Sequence, residues 1–152
     1  MANININEFA QVPVAGQLDL QISKSGVISG EISQNEGGSP VAGAAVKLDS
    51  AQVGSEPQFL LAADSDLALG YIVYDVKKAS PVSGDAVAVA FFGGPVMWKV
   101  AGATLTPGEQ LQESSGQMIA LTSGKFRGIA LDPATSGQLF RMIIMTNVAP
   151  AS

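Results

Sequence analysis

No stretch of a dozen residues in this chain keeps apolar side chains on a 3.6-residue period without meeting a glycine or a proline. A helical bundle is excluded on that ground, because each of its helices needs an uninterrupted apolar stripe to bury. The chain holds 17 glycines and 8 prolines in 152 residues, and they punctuate short apolar runs. Residues 86–92 show the pattern most clearly, with Val87, Val89 and Phe91 on one face and alanines between them. Alternation of that kind is the period of a half-buried strand. Similar runs occupy residues 45–48, 58–62, 67–74, 96–100, 118–121, 126–131 and 139–145, with Leu111 opening another. Short strands with turn signals every 8–12 residues predict a mainly β chain, a compact β-sandwich or barrel. At most one or two short helices are expected. Residues 131–135 have room for one helical turn, with Asp132 as its cap and Pro133 at its first position.

The N-terminal part reads differently. Residues 3–7 alternate asparagine with Ile4 and Ile6, and Phe9, Val12 and Val14 follow without a period. Such residues gain little in water and predict an extended arm that orders against another surface. Residues 17–23 place Leu18, Leu20 and Ile22 on one face, Ser25-Gly26 can turn the chain, and residues 27–32 can return as the second strand of a hairpin. Residues 33–39, Ser-Gln-Asn-Glu-Gly-Gly-Ser, read as a joint. The expected division is an arm and hairpin extension over 1–39 and a β core over 40–152.

Composition narrows the function. There is no cysteine and no histidine, so thiolate chemistry, disulfides, cysteine–zinc sites and the Ser-His-Asp triad are excluded. Thirteen acids against eight bases give a net charge of −5, which disfavours a nucleic-acid surface. Eight of the acids lie at or before Asp66, with only Lys24 and Lys47 among them, so the first part is strongly acidic and the rest nearly balanced. The longest uncharged stretch, residues 86–98, is too short to span a bilayer and is broken by Gly93, Gly94 and Pro95. The first residues lack the basic region and apolar run of a signal peptide. The expectation is a non-enzymatic protein without cofactor or metal, contacting neither membrane nor nucleic acid.

Individual motifs carry little chemistry. Asp64-Ser65-Asp66 puts two carboxylates two residues apart, a pattern that also suits a solvated turn. Ser123-Gly124-Lys125-Phe126 lacks the earlier glycine and the following Ser or Thr of a phosphate-binding loop. Lys77-Lys78 fits an edge or turn. Gly84-Asp85 and Gly108-Glu109 echo each other, each a glycine and an acid ahead of a strand, which is turn chemistry. Trp98 is a core or subunit-interface anchor, and Arg141 within an apolar strand should face the surface or pair with a carboxylate across an interface.

The order of short motifs then resembles a known group. Val41-Ala42-Gly43-Ala44-Ala45-Val46-Lys47-Leu48 is followed by Leu69-Gly70-Tyr71-Ile72-Val73 and Gly84-Asp85-Ala86-Val87-Ala88-Val89. Thr106-Pro107-Gly108-Glu109-Gln110-Leu111, Gly128-Ile129-Ala130-Leu131-Asp132, Gly137 and a terminal apolar strand complete the order. Across residues 40–146 this resembles the small decoration (cement) proteins of tailed-phage heads. The resemblance implies a structural protein, made in the host cytoplasm, that binds the outside of an expanded capsid as a homotrimer and clamps neighbouring major capsid protein subunits. On that reading Ile4, Ile6, Phe9, Val12 and Val14 form a capsid-contact arm, and Trp98 and Arg141 lie at a subunit interface. Ordering such an arm costs about 1–2 kcal/mol per residue, so one arm binds weakly and three on one body bind together. Two other readings compete. One is a trimeric β-sandwich module of a phage tail or adhesion protein that recognises a glycan or host protein. The other is an enzyme using Asp64, Asp66 or Asp85 at a subunit interface.

Overall fold

The computed structural model describes residues 13–19, 26–51, 56–91 and 95–145, and all of their regular structure is β. Strands β1 (Val27–Ile32), β2 (Ala45–Leu48), β3 (Gln58–Leu61), β4 (Gly70–Ile72) and β5 (Ala86–Phe91) close into a barrel in the order β1-β3-β2-β4-β5. β1 runs parallel to β3, and every other barrel pair is antiparallel. A second sheet holds β6 (Val96–Val100), β7 (Gln110–Ser114), β8 (Gln117–Ala120), β9 (Gly128–Ala130) and β10 (Leu139–Ile144), ordered β6-β10-β9-β7-β8 and antiparallel throughout. Its ends approach one another through a bridge between Ala101 and Met118. The mainly β expectation therefore holds, as a closed barrel joined to a second sheet.

Side-chain alternation explains how the two sheets pack. Ile32, Val46, Phe59, Ile72 and Val89 fill the barrel. Their strand neighbours Ala45, Tyr71 and Ala90 point the other way and join Met97, Leu111, Met118, Phe140, Met142 and Ile144 in a second core. One wall of the barrel is thus apolar on both faces. Glycine permits the closest approach within it. A Cβ on Gly70 would stand 2.1 Å from the Ala90 carbonyl oxygen.

Five turns share one construction. At Gly16, Gly43, Gly84, Gly108 and Gly137, φ lies between +84° and +89°. In each turn the residue after the glycine donates its N–H to the carbonyl two residues before the glycine. Each glycine N–H donates to the carbonyl of a distant residue (Trp98, Ile72, Ile32, Ala130 and Ala101 in that order), and that residue's N–H returns a bond to the carbonyl just after the glycine. In four of the five, the side chain after the glycine accepts the N–H that opens the turn, through Gln17, Asp85, Glu109 and Gln138. The Gly-acid echo of the sequence is therefore a repeated docked turn, in which glutamine substitutes for the acid twice.

Three expectations change. Val27–Ile32, placed in a hairpin extension ahead of residue 40, is a stave of the barrel paired with β3 and β5. Leu18 pairs with Met97, so residues 16–19 cover the free edge of β6. Residues 131–135 form no helical turn. Asp132 binds Arg141, and Ala134 bridges Leu105. Each local pattern was compatible with these outcomes, and the partner was decided by distant residues.

Replacing Gly70 by alanine is expected to cost about 3 kcal/mol or more, because neither backbone can yield. Gly137→Ala, where a Cβ meets open space but φ is +89°, should cost about 1–2 kcal/mol. Urea denaturation of the two variants beside the parent checks the ranking.

Candidate functional site

Charge sits where the alternation calls for apolar side chains. Lys99 follows Met97 on the inward face of β6, and Glu113 follows Leu111 on the inward face of β7. Arg127 precedes β9 and is fully buried. All three meet between the sheets. The Arg127 guanidinium donates to the carbonyls of Ala63 at 3.2 Å, Asp64 at 3.5 Å and Asp66 at 2.9 Å, in the loop between β3 and β4. The Lys99 ammonium donates to the Gly43 carbonyl and lies 4.2 Å from the centre of the Tyr71 ring. Glu113 approaches Arg127 at 3.6 Å, outside hydrogen-bonding distance. Both cations therefore reach from the second sheet to carbonyl groups of the barrel, and the Glu113 carboxylate acts on both.

This centre is electrostatically tense. Burial pushes the Lys99 ammonium down to about 8, against the opposing pull of Glu113. Burial also raises the Tyr71 phenol, helped by Glu113. Tyr71 Oη, Glu113 Oε2 and Arg127 Nε are buried without a hydrogen-bond partner. Lys99 and Glu113 border a cleft of about 340 Å³ between the barrel and the second sheet. The sequence reading passed over all four residues. The signal for two of them was a charged side chain at the inward parity of an apolar strand.

The carboxylates singled out from the sequence are engaged in turns. Asp64 accepts the N–H of Ser115. Asp66 accepts Lys47 and the N–H of Ala63, and the lysine bond leads the lowering of its pKa. Asp85 is held in the same way by Lys78 and the N–H of Val82. Among the described residues no group of three Asp, Glu, His or Cys could hold a metal ion. The Ser123-Gly124-Lys125 loop does form a nest. The N–H groups of Thr122, Ser123 and Gly124 converge on the Gln112 side-chain oxygen at 2.8–3.2 Å, so the protein supplies its own acceptor there.

Trp98 and Arg141 are register partners on the outer face of the second sheet, with the guanidinium 5.9 Å from the indole ring centre. Arg141 makes a two-pronged pair with Asp132 and a further contact to Asp19 at 3.3 Å. These partners raise its pKa, and Asp132 is lowered in return. The carboxylates foreseen across an interface thus lie within the chain. Ile4, Ile6, Phe9 and Val12 fall outside the described residues. Val14 belongs to the body, closed into the Gly16 turn with Gln17 and exposed at 39%. It borders a groove of about 810 Å³ against β1 and β5.

Between pH 8 and 10 the unfolded chain keeps the Lys99 proton while the folded chain sheds it. Stability should therefore rise with pH across that window, by about 3 kcal/mol if it were followed to the unfolded pKa. Urea midpoints at pH 7 to 10 are expected to show this rise in the parent and not in Lys99→Met. Equal slopes would contradict it. Arg127→Met, which removes the cation facing Glu113 and the donor to the Asp66 carbonyl, should lose on the order of 3–5 kcal/mol at pH 7.

No protein-family model matches the chain, and no curated protein matches it. Among solved structures it is similar to the N base of the head fibre gp8.5 of bacteriophage phi29. The TM-score is 0.55 at 17% sequence identity, over 82% of this chain and 99% of that one. The likeness is one of fold.

Proposed function

We propose that this chain is a non-enzymatic structural module of a phage virion surface, of the type that forms the base of a head fibre. The observation that carries the proposal is the fold likeness, which takes in nearly the whole of a fibre base and four-fifths of this chain. The internal chemistry agrees with it. Arg127, Lys99, Asp66, Asp85 and Asp132 are all spent on holding the body together. A base needs that rigidity, because its attachment must keep a fixed geometry under load.

The fibre-base reading is preferred to the cement-clamp reading because the matched structure is a fibre base. The partners proposed are the same for both, the major capsid protein and further copies of this chain. Trp98 and Arg141, side by side on the outer sheet face, are the proposed contact between copies. Glycan recognition finds less support among the described residues. Phe59, Tyr71 and Phe140 are buried, and Trp98 lies beside a paired arginine.

The test is sedimentation of the purified chain with DNA-filled heads, and separately with tails, of the phage that encodes it. Saturable binding to heads and none to tails is expected. Binding to tails alone, or to host cells alone, would overturn the assignment to the head. Removing residues 1–12, which spares the Gly16 turn, should leave a folded body with at least tenfold weaker head binding.

A further inference from the structure

The loop after β8 gathers more donors than its one acceptor can serve. The N–H groups of Thr122 and Gly124 at 2.8 Å, the N–H of Ser123 at 3.2 Å and the Thr122 hydroxyl at 3.3 Å all converge on the side-chain oxygen of Gln112. An amide oxygen has two lone pairs, so four donors overfill it. Glycine permits the close approach, since a Cβ on Gly124 would stand 2.8 Å from Gln112 Cδ. Lys125 follows at once and is the one charged residue between Ser115 and Phe126. The acids on either side of Gln112 in the chain are turned elsewhere. Glu113 is buried between the sheets, and Glu109 accepts the N–H of Thr106. Thr122, Ser123 and Gly124 are exposed, so a ligand can reach them.

We propose that residues 122–125 form a binding site for a phosphate-type oxyanion, and that the Gln112 side chain is a placeholder which the anion displaces. Successive N–H groups that converge on one point make a concavity that favours negative charge. Gln112 brings it only a neutral oxygen. Hydrogen bonds to a charged acceptor are roughly twice as strong as those to a neutral one. A phosphate also brings several oxygens, so the four donors no longer compete for one. It is favoured over a carboxylate because it offers a third oxygen and a higher charge to the four donors and to the ammonium of the same loop. Displacement costs the sheet nothing. Gln112 pairs with Ile119 through its backbone, which stays in register when the side chain turns away. The residues after the loop lead into β9, so these are loop donors and not those of a helix end. The inference stands apart from the virion reading.

Inorganic phosphate is the probe, titrated at constant ionic strength into isotope-labelled full chain, with chloride and acetate in parallel. The amide signals of Thr122, Ser123 and Gly124 are expected to move saturably with phosphate and not with chloride. Gln112→Ala, which empties the nest, should lower the phosphate concentration at half-saturation at least tenfold. No saturable shift in the parent or in Gln112→Ala, the same half-saturation in both, or an equal response to acetate would overturn the proposal. A second variant covers the case in which the loop rearranges in Gln112→Ala. Gln112→Glu builds an anion into the nest. Its thermal midpoint at pH 7 should rise by about 2–4 °C, and its three loop amides should no longer respond to phosphate. A midpoint at or below that of the parent, or an unchanged phosphate response, would also overturn it.

Discussion

Two buried cations hold this molecule together. Arg127 and Lys99 extend from the second sheet and donate to carbonyls of the barrel, at the loop between β3 and β4 and at the turn before β2. Those carbonyls belong to connections, where ladder bonds are not available to satisfy them. Glu113 compensates the positive charge, at a distance from Arg127 too long for a hydrogen bond. A charged centre of this kind is costly to desolvate and adds little net stability over an apolar core. What it adds is direction. Apolar packing alone would let the two sheets slide over Tyr71, Ala45 and Ala90, whereas four donor–acceptor contacts of fixed geometry favour one docking angle.

The docked turns complete the same design at the periphery. Each ties its turn to a distant strand or strand end, and in four of the five the side chain after the glycine closes the turn on itself. The chain therefore needs neither helix nor disulfide to fix its connections. Asp85 and Glu109 are consumed in this way. The body that results has its connections pinned by hydrogen bonds, which suits a part whose work is to hold a position.

Much of the strand content was legible in the sequence because alternation is local. The Val87 and Val89 face of β5 and the Phe140, Met142 and Ile144 face of β10 follow directly from period two. The turns at Gly84 and Gly108 were legible for the same reason. Partner choice was not. Residues 17–23 and 27–32 read as a hairpin, yet Leu18 pairs with Met97 and β1 closes the barrel against Ala86–Phe91, while residues 20–25 lie outside the described residues. Pairings between residues some sixty to eighty positions apart leave no trace in periodicity. The charged centre was missed because Lys99, Glu113 and Arg127 look like ordinary surface charges until inward parity is counted. Arg141 reads from the sequence as surface-facing or paired with a carboxylate across an interface; within the chain it contacts Asp132 and Asp19.

The central claim, that buried charge makes the barrel and the second sheet one body, is tested most directly by native-state amide hydrogen exchange. In the parent protein, core amides of β2 and β3 and core amides of β7 and β10 are expected to share one opening free energy. In Arg127→Met they should separate into two sets, with both sheets still folded. Two distinct sets already present in the parent, or a single shared set retained in the variant, would contradict the account.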